Sequence, residues 1–156
     1  MKSYTKDTDK GRLRILKEMQ KLKRKPYVKA GLMGTRLHRG SKQTTVVDVG
    51  ITHEFGTRHI PQRSFMRTTF DEKHGDWSKE TETIKTLIFL GKSTVKKGLK
   101  TMGLIITGDI KDKIIRQDPS WPDLKAATIK RKKSSKKLID TAQMLHSIKD
   151  ETVMRK

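Results

Sequence analysis

FMRTTFDEKHGDWSKETETIKTLIFLGKSTVKKGLKTMGLIITGDIKDKIIRQ, running from Phe65 to Gln117, is the stretch whose reading decides the fold. Within it Ile84, Leu87, Ile88, Val95, Leu99, Met102, Ile106, Ile110 and Ile114 keep to the 3.6-residue period of an amphipathic helix. At about 1.5 Å per residue, one unbroken helix over this span would be longer than a domain of this size holds. The sequence therefore predicts a break at Gly91, with Ser93 capping a second helix that ends near Gln117.

On the N-terminal side, Leu13, Leu16, Met19 and Leu22 recur every three residues among Lys and Arg, with Ile15 alongside. They predict a basic amphipathic helix from about residue 8 to 24, stopped by Pro26. Tyr27 to Met33 alternates as a strand, and Gly34 to Gln43 suits a hairpin loop. The β-branched run TTVVDVGI, Thr44 to Ile51, would pair back as a second strand. Gly56 then ends a short turn of helix, and Pro61 holds Ile60 extended.

On the C-terminal side, Pro119 and Pro122 bracket Trp121 in a loop, and Asp123 is placed to cap a short helix over Leu124 to Lys132. Lys130 to Lys137 is expected to be a solvated, mobile basic loop. Asp140 with Gln143 resembles a capping box that opens a last helical segment through Met144, Leu145 and Ile148. The final eight residues either add an edge strand or stay loose. No internal repeat is visible. The expectation is one α+β domain over residues 1–156, a small antiparallel sheet packed against long amphipathic helices.

Composition bounds the function. Of 156 residues, 32% are hydrophobic and 35% charged, so the core must be thin and much of the chain faces water or partners. There is no cysteine, which excludes disulfides, thiol catalysis and thiolate metal sites. No run of 18 apolar residues occurs, so neither membrane spanning nor secretion is expected. The formal charge of +20 predicts attraction to polyanions or acidic surfaces. It is divided unevenly, with +11 on residues 1 to 45, −1 on residues 46 to 90 and +10 on residues 91 to 156.

Tests for chemistry mostly fail. His53-Glu54 lacks the second histidine that a zinc-protease helix needs four residues on, since that position is Thr57. His38, His53, His59, His74 and His146 are scattered among Lys and Arg. Gly91-Lys92-Ser93-Thr94 copies the end of a phosphate-binding loop, yet Thr86 stands where its first glycine belongs. We expect no catalytic residues, no metal, no cofactor and no enzymatic activity. The basic residues Lys21, Lys23, Arg24 and Lys25, with Lys130, Arg131, Lys132 and Lys133, are either solvated faces or contacts to DNA phosphates or an acidic partner.

The stretch HEFGTRHIPQRSFMRTTFDE, His53 to Glu72, resembles a signature of the tail-completion proteins of long-tailed bacteriophages, also described as neck or virion-morphogenesis proteins. A second block, Trp121 to Ile148, is similar to a later motif of the same family, in which a basic loop leads into a Leu-Ile-Asp-Thr-Gly turn and a Ser-Ile ending. Here Ala142 stands where the family often has glycine, a difference expected to cost little. The resemblance covers about two-thirds of the chain. It implies a structural virion protein, assembled in the host cytoplasm, that sits at the head–tail joint as part of a homo-oligomeric ring. Its partners would be other neck, connector and tail proteins, with non-specific contact to packaged DNA. On the residues alone, Phe55, Ile60, Pro61 and Phe65 are apolar anchors rimmed by Arg58, Arg63 and Arg67, the composition of a subunit interface. Phe55 and Phe65 equally suit sealing the sheet against the helices, and Arg63 and Arg67 suit clamps within the loop or between subunits. The rival reading is a non-specific nucleic-acid-binding protein using its basic arms.

Overall fold

A computed structural model of the chain describes residues 9–155. Helix α1, Lys10–Lys23, begins where the Asp9 carboxylate accepts from Arg12 N at 3.0 Å. It ends before Pro26; its expected start at Thr8 lies outside the described residues. Strand β1, Tyr27–Leu32, follows, and then helix α2, Val46–Phe55. Two long helices come next, α3, Met66–Phe89, and α4, Val95–Arg116. The chain finishes with α5, Ala126–Lys132, α6, Gln143–Ser147, and strand β2, Ile148–Val153. The architecture is α+β, as the helical periods predict.

The sheet is made differently from the sequence expectation. β1 pairs antiparallel with β2, Tyr27 opposite Val153 and Leu32 opposite Ile148, so the closing residues supply its partner strand. Residues 44–51, expected as that partner, are mostly helix α2 and contribute only the Leu37–Thr45 bridge. A local cap and tertiary packing override the β-branched propensity. Thr45 Oγ1 accepts from Asp48 N at 3.1 Å while Asp48 Oδ2 accepts from Thr45 N at 2.8 Å, a reciprocal capping box. Val46, Gly50 and Glu54 then fall on one buried face at helical spacing.

The long helical pair breaks at Gly91, which takes φ +68°. Ser93 does not cap α4, because its amide is drawn back to Leu87 O at 3.1 Å. Thr94 is the cap instead, accepting from Lys97 N at 3.2 Å. Two further caps also differ. Asp123 lies outside α5, which starts behind Lys125 without a side-chain cap, and pairs with Lys137 at 3.0 Å. Asp140 and Gln143 form no capping box, because Gln143 reaches away to the loop before α2, accepting from Arg39 N and donating to Leu37 O. The basic loop is not wholly solvated, since α5 extends through Lys132 and Lys137 Nζ donates to Trp121 O at 2.6 Å.

One core unites these elements. Val46 from α2, Phe65, Ile110 and Ile114 from α4, Trp121, Met144 and Ile148 are all buried together. The sheet packs on α4, where Gly103 lets Asp150 come close enough that a Cβ would stand 2.7 Å from the Asp150 Cβ. α1 lies against the start of α4, with buried Glu18 accepting from Val95 N at 2.8 Å. At the other end Gln117 exchanges hydrogen bonds with the Lys137 backbone. The 22 residues of α4, about 33 Å long, thus carry the α1 contact near one end and the Lys137 contact near the other.

Candidate functional site

The segment from His53 to Arg67 is a tightly bonded turn, and its organising residue is Glu54. This carboxylate is 6% exposed. Its Oε2 accepts from Phe65 N and Met66 N, each at 2.9 Å, and its Oε1 accepts from Arg67 N at 2.9 Å and Ser64 Oγ at 2.6 Å. Phe65 precedes α3 without a side-chain cap of its own. Glu54 thus satisfies the otherwise unpaired amides at the N-terminus of α3, where a negative charge also complements the helix dipole. The intervening loop closes on itself, with Thr57 N donating to Ile60 O at 2.8 Å and Arg63 N to His53 O at 2.7 Å. Gly56 is required there: its φ is +73°, and a Cβ would meet Gln62 N at 2.9 Å.

This turn sorts the expected interface residues into two groups. Phe65 is fully buried in the core and cannot face a partner. Arg63, 4% exposed, turns inward: Nε and Nη2 donate to Pro122 O at 3.1 and 2.8 Å, and Nη2 also to Asp123 O at 3.2 Å. It is an intra-chain clamp tying residues 53–72 to residues 121–148. Of the alternatives open in the sequence, Phe65 therefore takes the sealing role and Arg63 that of a clamp within the chain, and substituting either would damage the fold. Phe55, Arg58, Pro61 and Arg67 stay at the surface, and Ile60 is half-buried. Phe55 is 65% exposed, with the Arg67 guanidinium 5.6 Å from its ring centre.

The surface around Phe55 is broader than the sequence reading found. Ile51, 52% exposed, lies one turn before Phe55 on α2, and Phe70, 56% exposed, lies one turn after Arg67 on α3. Phe70 stacks on His74 at 5.7 Å and meets the Trp77 edge at 6.0 Å. The spacing of Phe70, His74 and Trp77 at i, i+4 and i+7 was the available signal for this stripe. The role of Glu54 had no local signal, because the amides it serves lie beyond a loop whose path Gly56 decides.

Behind the turn lies a cavity of about 180 Å³ between α2, α5 and the segment before α6. His38, His53, Arg63, Arg131 and Lys132 contribute to its wall, with Asp140 as the carboxylate. Burial, together with Arg63, Lys132 and His38 nearby, pushes the His53 imidazole down to about 4, so it is neutral at pH 7. Its buried Nδ1 has no hydrogen-bond partner among the described residues. Burial also lowers the Arg63 and Lys132 values, which Asp123 and Asp140 respectively oppose.

The basic residues are not gathered into one surface. Lys23, Arg24 and Lys25 are exposed at the end of α1, whereas Lys21 pairs with Glu18. Lys130, Arg131 and Lys133 are exposed on and after α5, and Lys132 is half-buried with its Nζ donating to Lys136 O at 2.8 Å. Among the described residues no group of three or more His, Asp or Glu side chains is placed to hold a metal ion. No described helix is long and apolar enough to cross a membrane. Comparison with protein-family models, curated proteins and solved structures finds no match to this chain.

Proposed function

We propose that the chain is a structural subunit of the head–tail joint of a long-tailed bacteriophage. It would complete the head-proximal end of the tail, or tie it to the connector, as one member of a ring. The observation that carries this reading is the outward face of the turn. Phe55, Ile51 and Phe70 are large apolar side chains held at the surface beside Arg58 and Arg67, on a backbone fixed by the hydrogen bonds of Glu54. Apolar anchors with an arginine rim on a rigid support have the composition of an interface hot spot. The two sequence blocks that resemble the tail-completion family give independent support. They meet through Arg63 and share the core around Phe65 and Trp121. No catalytic role is assigned.

The test is electron microscopy of lysates from a phage lacking this gene, complemented with wild type or Phe55→Asp. Without the gene, filled heads beside detached tails, or tails of abnormal length, are expected. Phe55→Asp should reproduce that defect while the purified protein keeps the wild-type melting temperature, because Phe55 lies outside the core. Intact infectious particles without the gene would remove the structural role.

The second reading is non-specific nucleic-acid binding. The observation favouring it is the two exposed basic groups, Lys23, Arg24 and Lys25 at the end of α1 and Lys130, Arg131 and Lys133 on and after α5. Tight duplex binding that weakens steeply with salt would favour it, and micromolar or weaker binding at physiological salt would not.

A further inference from the structure

The cavity between α2, α5 and the segment before α6 has an unbalanced wall. Arg63, Arg131 and Lys132 bring three basic side chains to the wall of a space of about 180 Å³, where Asp140 is the lining carboxylate and Asp123 acts on Arg63 from beside the wall. No ion pair joins Asp140 to them, although its charge acts on Lys132, and the Arg131 side chain makes no hydrogen bond or ion pair among the described residues. Arg63 spends Nε and Nη2 on the carbonyls of Pro122 and Asp123, leaving Nη1 without a partner among the described residues. Lys132 commits only one of its three donors, to Lys136 O. His53 adds a half-buried ring whose Nδ1 is unpartnered, and His38 closes the side nearest the loop before α2.

Like charges drawn together on a concave, partly buried wall repel one another, and the resulting positive potential is relieved by an anion. We propose that this cavity is a binding site for a phosphate-type oxyanion, held by Arg131, Lys132 and the free face of Arg63, with His53 at its edge. The planar guanidinium groups suit the oxygens of such a ligand, and Lys132 supplies a point charge. The space also admits several water molecules beside the anion. The site is independent of the subunit-interface reading, because the Phe55 surface lies on other side chains. The phosphate is either free or part of a nucleic-acid strand.

His53 provides the readout. An anion beside it favours the protonated ring, and by reciprocity protonation of the ring tightens the anion. The experiment is a histidine side-chain NMR titration of the full chain from pH 4 to 8, with inorganic phosphate or with chloride at matched ionic strength. Phosphate, and not chloride, should raise the His53 midpoint from about 4 by about one pH unit. The variant Arg131→Gln with Lys132→Gln, whose sites lie on α5 outside the core, should lose that response and keep the wild-type melting temperature. The single Arg131→Gln, at an exposed position, should retain part of it. A His53 midpoint indifferent to phosphate, or an equal response in the double variant, would overturn the proposal. A short DNA duplex that displaces phosphate from His53 supports the site and assigns the phosphate to nucleic acid. Duplex binding that leaves the phosphate response intact supports it as a site for free phosphate.

Discussion

Glu54 and Ala142 show how far a single residue's meaning depends on the backbone around it. In sequence, Glu54 is half of a failed metal motif. In the fold it accepts four hydrogen bonds at the start of α3, one of them from the fully buried Phe65 amide. Glu54→Ala should therefore destabilise by about 3 kcal/mol in urea unfolding, since buried amides lose a charged acceptor. Glu54→Gln should cost about half as much. A change within about 0.5 kcal/mol for the alanine variant would contradict this role. Ala142 carries the opposite lesson. Its φ of +55° places it in the left-handed region, as the residue preceding α6. The glycine of the resembled motif is the residue that backbone asks for, and the expectation that alanine costs little there is corrected. Ala142→Gly should raise stability by about 0.5–1 kcal/mol, because relief of left-handed strain exceeds the added freedom of the unfolded chain. A lowered midpoint of chemical denaturation would show that the strain is absent.

At the scale of elements, α4 is where the sequence speaks most clearly. Its apolar period correctly predicted both the helix and the face turned to the core, because the apolar positions Val95, Met102, Ile110 and Ile114 are all buried, whichever element covers them. Its glycines add a finer expectation. A Cβ at Gly98 would come 2.5 Å from Ile84 Cγ2 on α3, and one at Gly103 would reach 2.8 Å from Asp150 Oδ2 on β2, whereas Gly108 faces open space. Gly98→Ala and Gly103→Ala should each cost about 1–3 kcal/mol by overpacking. Gly108→Ala should stabilise by up to about 1 kcal/mol through helix propensity. Thermal unfolding of the three variants checks the ordering, and equal effects would refute it. The element least legible in sequence was α2. Thr44 to Ile51 has strand composition, and only the Thr45–Asp48 pair betrays the helix start. Phe55, which stays exposed, and Phe65, which is buried, were not separable in sequence. Two phenylalanines of one motif differ by whether the chain has turned inward at Gly56, a fact of geometry rather than of residue type.

For the whole molecule, the decisive contact joins distant parts of the chain. β2 brings Ile148, 1% exposed, into the core, and sets Asp150 beside Lys100 at 2.7 Å. A chain ending at Ser147 should therefore lose cooperative unfolding, with broad amide resonances and rapid hydrogen exchange along α4. A sharp melting transition in that truncation would place the sheet outside the folding unit. The pairing of β1 with residues 148–153 also sets a timetable. At roughly 5–20 residues per second, a growing chain waits about 6–24 s between finishing β1 and completing its partner. For the last part of it, from the joining of residue 116 to that of residue 153, about 2–7 s, the finished α4 lacks the cover of β2, and whatever shelters that face in the cell must hold on until the strand is made.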